Sequence, residues 1–427
     1  MLKPDYLDSE NGAAASAHRR DFEHLSEQLH RRGLEAEAVV VEVMTFMVAV
    51  PSWALGTGGT RFGRFPGMGE PRDIREKMED AGVIHQLTGA TPRISLHIPW
   101  DEPEDPAALR AQAETLGLVF DSVNSNTFQD QPGQALSYKF GSMSHTDPGV
   151  RAQAVEHNLH VIEVGSTLRS NALSVWLADG SNYPGQMHLR KSFERVLDSL
   201  RQVYRALPSG WQLFTEHKPF EPAFYATVVQ DWGSSLMLAQ ALGPQAACLV
   251  DLGHHLPNTN VEMVVARLVT AGKLGGFHFN DSKYGDDDLT AGSIRPYQLF
   301  LVFNELVDAV RDGSLRVPPA YMIDQSHNLK DPIEALLQTV DNLQRAYARA
   351  LLVDRAALAG YQESNDVLMA EQTLRTAFET DVSALVREAR RRRGGALDPV
   401  SAFRASGYRR AKAGERTGAA YVPPQSL

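Results

Sequence analysis

The 427 residues predict an α/β chain folded as a (β/α)8 barrel, with helices before it and a helical extension after it. Three observations carry this. Short apolar runs alternate with longer helical patterns along most of the chain. The runs are almost continuously apolar, as parallel strands buried on both faces are. In the second half, four successive runs each end in a carboxylate or an imidazole. In a parallel barrel those ends converge on one mouth.

Candidate strands are 46–50, 95–99, 119–124, 173–178, 212–217, 247–252, 276–280 and 320–324. Helical patterns between them cover about 104–116, 149–168, 189–206, 222–241, 260–273, 296–312 and 332–352. In the third of these, Phe193, Val196, Leu200 and Val203 fall on one face at the 3.6-residue period. Eight strand–helix units make a barrel. Two helices are expected ahead of it, at 15–35 and 35–45. Beyond Leu352 the pattern is helical only, with helices at 354–358 and 371–393. The division expected is an N-terminal helical segment 1–45, a catalytic barrel 46–352 and an extension 353–427 placed in subunit contacts. The run Arg390–Arg393 reads as a solvated helix C-terminus, where cations suit the helix dipole.

Composition narrows the function. With 43% hydrophobic and 22% charged residues the chain is an ordinary globular protein. A net charge of -10 argues against a nucleic-acid surface. Cys248 is the only cysteine, so no intramolecular disulfide forms, which is compatible with a reducing compartment. The first residues lack the apolar core of a secretory signal. No apolar run approaches the ~18 residues of a membrane span. The cytoplasm is the expected location.

The strand ends carry the chemistry. Glu216 and Lys218 alternate along one strand end, so they share a face, with His217 opposite. Asp251 and His254 follow the next strand. His278 lies between Phe277 and Phe279 and points away from both. Asp286 and Asp288 share a face if their segment is extended. Asp324 ends a buried strand. Taken singly, each has an ordinary explanation: an ion pair, a loop cap, a core histidine, a solvated turn. Together, on four consecutive strand ends, they predict a divalent metal site with more than one metal. So many converging carboxylates do not all stay ionised without a cation. Carboxylates and imidazoles without thiolate suit Mn2+, Mg2+ or Co2+ better than a structural zinc.

Other groups gather at the same mouth. His97 and Asp101 frame the second strand end, Asn124 and Asn126 with Phe128 follow the third, and Trp176 and Asp179 the fourth. Aromatic faces beside hydrogen-bonding groups suit a polyol, although Trp53 and Trp176 serve equally as barrel packing. The Gly-rich stretch 53–69, with Phe62 and Phe65, lacks the Lys-Ser/Thr of a phosphate loop and the dinucleotide spacing. It reads as a lid or as an arm reaching another subunit.

These residues resemble the bacterial L-rhamnose isomerases of the broad-specificity Pseudomonas type, within the xylose-isomerase-like barrel superfamily. The resemblance covers about 35–410. It rests on Val50-Pro-Ser-Trp53, Gly56-Thr-Gly-Gly-Thr-Arg-Phe62, Ser95-Leu-His97-Ile-Pro-Trp-Asp101, Glu216-His-Lys218, Val250-Asp251-Leu-Gly-His254-His, Gly275-Gly-Phe-His278 through Asp286-Asp-Asp288, and Met322-Ile-Asp324-Gln-Ser-His327.

It implies an aldose–ketose isomerase acting on a monosaccharide, L-rhamnose first and D-allose among other aldoses, with two divalent ions per chain. Mn2+ is the expected ion, with Mg2+, Co2+ or Zn2+ as alternatives. Carried over by motif, Glu216, Asp251, His278 and Asp324 hold one metal. His254, Asp286 and Asp288 hold the second, with Asp251 able to bridge. Lys218 is implied near the substrate O1 and O2 and His97 near the ring oxygen, with Asp324 the third candidate catalytic group. Trp53, Phe62, Phe128, Trp176 and His254 are the candidate substrate contacts. The resemblance also implies a homotetramer in which Phe62 reaches a neighbouring site. A sugar epimerase and a metal-dependent phosphodiesterase on the same barrel are the alternatives. The first usually needs two opposed glutamates, and Glu216 is the only glutamate on the four ligand strands. The second needs basic residues near the ligands, and few are there.

Overall fold

The structure is a computed structural model and describes residues 1–3, 5–56, 65, 67–326 and 329–416. Eight parallel strands close into a barrel: β1 Ala49–Pro51, β2 Arg93–Ile98, β3 Val119–Ser125, β4 Ala172–Trp176, β5 Gln212–Glu216, β6 Ala246–Asp251, β7 Leu274–Phe279 and β8 Ala320–Ile323. Each expected strand is present, within three residues at either end.

Before the barrel run α1 Tyr6–His30 and α2 Ala36–Thr45. Around it lie α3 Ile74–Thr88, α4 Pro106–Thr115, α5 Pro148–Leu168, α6 Leu189–Arg205, α7 Trp232–Leu242, α8 Val261–Thr270, α9 Pro296–Arg311 and α10 Pro332–Leu351. After it come α11 Arg355–Glu363, α12 Val367–Glu379, α13 Ser383–Arg392, α14 Pro399–Ser406 and α15 Tyr408–Glu415.

Four differences from the sequence reading have identifiable structural causes. Helix α1 starts nine residues earlier than expected, at Tyr6 rather than 15, because its first turns pack on the C-terminal helices: Tyr6 donates to Ala402 O at 2.6 Å and Asn11 Nδ2 to Gly395 O at 2.9 Å. Helix α3 was not foreseen, although its ends are marked in the sequence. The Asp73 side chain accepts from Glu76 N, and Gly89 closes the helix in the left-handed region. Helix α7 starts at Trp232, not 222. Ala226–Thr227 pairs antiparallel with Gly180–Ser181 instead, and Asp231 caps the helix through Ser234 N. The expected helix 371–393 is two helices, broken where Asp381 Oδ1 accepts from Ser383 N.

Outside the strands one continuous core joins strands and helices, from Leu25 and Val40 through Phe300 to Leu385 and Phe403. Inside the barrel, the register stacks side chains in layers from alternate strands. The uppermost holds His97, Trp176, Asp251 and Asp324; the next holds Pro51, Asn124, Glu216 and His278. Beneath them come Ser95, Ser174, Leu249 and Met322, and then Ala49, Ser122 and Phe214. The lumen is thus divided lengthwise. Phe214, Ala247, Leu249 and Ala172 form an apolar cluster on one side, while β2, β3 and β4 line the other with serines. Gly275 permits this closure, since a Cβ there would sit 2.6 Å from Ala247 and 2.8 Å from the Phe214 ring.

Candidate metal centre

The strand ends that position the site are apolar on their outer faces, so alternation turns their polar residues inward. Glu216, Asp251, His278 and Asp324 bring one ligand atom each within 4.8 Å of one another, and Asp251, His254 and Asp286 do the same. Asp251 belongs to both groups. His278 Nδ1 lies 3.1 Å from Glu216 Oε1, 3.3 Å from Asp324 Oδ2 and 3.6 Å from Asp251 Oδ2. His254 Nδ1 is 3.2 Å from Glu216 Oε1, and its Nε2 is 3.3 Å from Asp286 Oδ2. Asp251 is fully buried and held in place: Oδ1 accepts from Gly253 N at 2.7 Å and from Asn280 Nδ2 at 3.0 Å.

The segment bends around Gly285 rather than running extended, Asp288 takes a positive φ of 48°, and its Oδ2 accepts from Ser326 Oγ at 2.8 Å. Asp288 follows Asp286 on the same loop and is not one of the residues in the two close groups. Asp101 and Asp179 also turn away from the mouth. Asp101 takes Lys77 Nζ at 2.7 Å and His97 N at 2.9 Å, and Asp179 takes the backbone of Ser142 and Ser144. Asn124 Nδ2 donates to Leu96 O, and Asn126 N donates to His157.

Electrostatics follow from the crowding. Burial alone would push both imidazoles toward neutrality. The carboxylates around them, Asp251 and Asp286 for His254 and Glu216 for His278, overcome it and hold both well above the ordinary histidine range. Burial pushes Glu216 up, but His278 and His254 together outweigh it and hold the carboxyl far below its usual value. Asp251 is raised by burial. Four carboxylates and two imidazoles, oxygen and nitrogen donors without thiolate, fit hard divalent ions.

Lys218 is almost fully buried. Its ammonium touches the Asp286 carboxylate, lies 3.0 Å from Glu221 Oε2 and sits 4.5 Å from the Trp176 ring centroid. An aromatic wall faces it: Phe128 is 4.2 Å from Trp176 and 5.8 Å from His97, and Trp53 is 5.6 Å from His97. Trp53 Nε1 donates to Asp324 Oδ1 at 2.7 Å, tying the wall to the ligands. Burial lowers the His97 pKa to about 4, so the ring is neutral at neutral pH. Phe62 lies outside the described residues, as does most of 54–69.

Three contributors were not foreseen. Asn280 follows His278 at the inward period, a signal that was readable. Trp100 stacks on His97 at 4.0 Å, and Glu221 reaches Lys218 from a loop. Only the folded loop could reveal Glu221. Its neighbour Phe220 packs close to Gly285, where a Cβ would sit 2.5 Å from the ring.

No family model matches the chain. It is 60% identical over 416 residues to a probable sugar isomerase of Rhizobium meliloti (strain 1021), covering 97% of each chain. It is 26% identical over 317 residues to the xylose isomerase of Thermus thermophilus, covering 69% of this chain and 77% of that one. Among solved structures, an L-ribulose 3-epimerase superposes with a TM-score of 0.52 at 16% identity, over 73% of this chain and 98% of that one, a likeness of fold alone. The chain belongs to the family of these probable sugar isomerases, built on a xylose-isomerase-like barrel.

Proposed function

We propose that the protein is an aldose–ketose isomerase that interconverts L-rhamnose and L-rhamnulose, accepts other aldoses such as D-allose, and works with two divalent ions, Mn2+ foremost. The observation that carries this reading is the pair of buried ligand groups sharing Asp251, with the Lys218 ammonium beside one of them and over an aromatic face. Glu216, Asp251, His278 and Asp324 would hold one ion and Asp251, His254 and Asp286 the other, with Asp288 beyond them on the same loop. When bound, the ions supply Lewis acidity to the two sugar oxygens that exchange carbonyl and hydroxyl character.

The chain's own groups do the rest. Lys218 donates to the sugar oxygen on which negative charge develops. His97, neutral and clamped between rings, hydrogen-bonds the ring oxygen without repelling the ions. Trp53, Phe128 and Trp176 cover the C–H faces of the sugar and exclude water.

The reaction moves one hydrogen between C2 and C1 and one proton between O2 and O1. Asp324 is poorly placed as a free base, since Oδ1 accepts from Trp53 and Oδ2 faces His278. This supports a direct hydride shift over an enediol. A homotetramer with the 54–69 arm near a neighbouring site, the extension 353–427 in subunit contacts and a cytoplasmic location belong to the same proposal. Among the described residues no helix is long and apolar enough to cross a membrane.

The test is turnover of L-rhamnose and D-allose by EDTA-stripped protein with and without Mn2+, run in D2O. Metal-restored ketose formation without deuterium at C1 is expected. Metal-loaded protein that turns over neither sugar would refute the substrate assignment, and a C3-epimerised ketose product would favour an epimerase.

A further inference from the structure

His278 presents Nδ1 to three carboxylates, while its Nε2 is buried with no partner among the described residues. A ring that ligates through one nitrogen is normally held by a hydrogen bond at the other. Below it, on the serine side of the lumen, Ser174 Oγ, Ser95 Oγ, Ser122 Oγ and Asp121 Oδ2 are likewise buried and without a partner among the described residues. The strand register puts all of them on one side. Ser174 is the register partner of Asn124 on one side and Phe214 on the other, and Ser95 stands between Arg93 and His97 on the inward period. The register shift between β2 and β3 sets Asp121 and Ser122 opposite Ser95. At the base Asp121 Oδ1 meets Arg93 at 3.2 Å, and the Arg93 side chain is half exposed. Leaving five such groups dry would cost more than a domain's net stability tolerates. Buried polar groups without a protein partner are where ordered water is retained.

We propose that the lumen beneath the ligand layers is a hydrated polar column, built by Ser95, Asp121, Ser122 and Ser174, that hydrogen-bonds His278 Nε2 and so holds Nδ1 toward the metal. These are positioning residues, since none touches substrate. The column opens at the base beside Arg93, and the apolar half formed by Phe214, Leu249 and Met322 confines it to β2–β4. Its link to His278 rests on the metal reading above.

The experiment compares Ser174→Val with Ser174→Thr, which have the same volume and differ by one hydroxyl. Mn2+ affinity of the stripped proteins is read by calorimetry, beside a high-resolution crystal structure of the wild type. The Val variant should bind Mn2+ about 10–100-fold more weakly, the Thr variant close to wild type, and ordered waters should link His278 Nε2 to Ser174 and Asp121. Equal affinities in the two variants, or a dry lumen, overturn the proposal. Should Ser174→Val fail to fold, Ser95→Val against Ser95→Thr decides it in the same way. Wild-type protein that takes up no metal refutes the metal reading instead, and the crystallographic waters then decide the column by themselves.

Discussion

On the proposed reading, metal binding by this chain should be strongly pH-dependent, and the cause lies in the imidazoles of His254 and His278. His278 and His254 are both held well above the ordinary histidine pKa by the carboxylates facing them. In the folded, metal-free chain at neutral pH each carries a proton that an incoming cation must displace, one per ligand group. A displaced proton is worth about 1.36 kcal/mol per pH unit, so each Kd should weaken about tenfold for each unit of acidification. Filling both groups should release about two protons.

The same shifts set the stability of the stripped protein, and the sign is definite. A histidine whose folded pKa is raised adds stability that is fully present below its unfolded value of about 6.5 and is lost as pH rises through the folded pKa. The Tm of stripped protein should therefore fall from about pH 6.5 upward, whereas metal-loaded protein should lose Tm toward acid. Calorimetric titration with Mn2+ in two buffers of different ionisation enthalpy counts the protons. A Kd flat with pH, with no proton released, would mean neutral imidazoles in the metal-free state and would refute the reasoning.

Other outcomes follow from individual contacts. His254→Ala should keep the fold by circular dichroism, bind one metal fewer per chain and lose nearly all turnover; wild-type metal content and rate would contradict its place in the second group. Lys218→Met should lower kcat by about 100–1,000-fold, the range for a lost charge-stabilising donor, with a smaller change in KM; an effect on KM alone would make Lys218 a binding residue only. Trp53→Phe removes the 2.7 Å donor to Asp324, a hydrogen bond to charge worth about 1.5–3 kcal/mol, and should cut kcat/KM about 10–100-fold. Asp80→Ala removes the carboxylate at 2.9 Å from the Arg416 guanidinium and 2.8 Å from the Tyr408 hydroxyl, leaving Arg416 with Glu79 at 3.1 Å. It should cost about 1–3 kcal/mol, seen as a lower Tm with Mn2+ affinity unchanged.

The barrel and the convergence of its strand-end carboxylates and imidazoles are legible in the amino-acid sequence. Strand period and strand-end chemistry are local properties, so the apolar runs before Glu216, Asp251, His278 and Asp324 carry both the fold and the convergence of these four residues. Helix ends are equally local, as Asp73 and Gly89 at the two ends of α3 show. Tertiary structure decided what depends on distant backbone. The bend around Gly285 and the positive φ of Asp288 replace an extended run, because a loop's φ and ψ are set by what packs on it and not by residue period. Glu221 reaches Lys218 from a loop whose backbone turns at Glu221 itself, at a positive φ of 68°. Asp101 turns to Lys77 because a buried carboxylate takes the nearest cation, and residues 24 apart in the chain become neighbours only when α3 docks on the barrel. The serine-lined half of the lumen was hidden for the same reason: Ser95, Ser122 and Ser174 are unremarkable in their own strands, and only the barrel's register stacks them beneath His278.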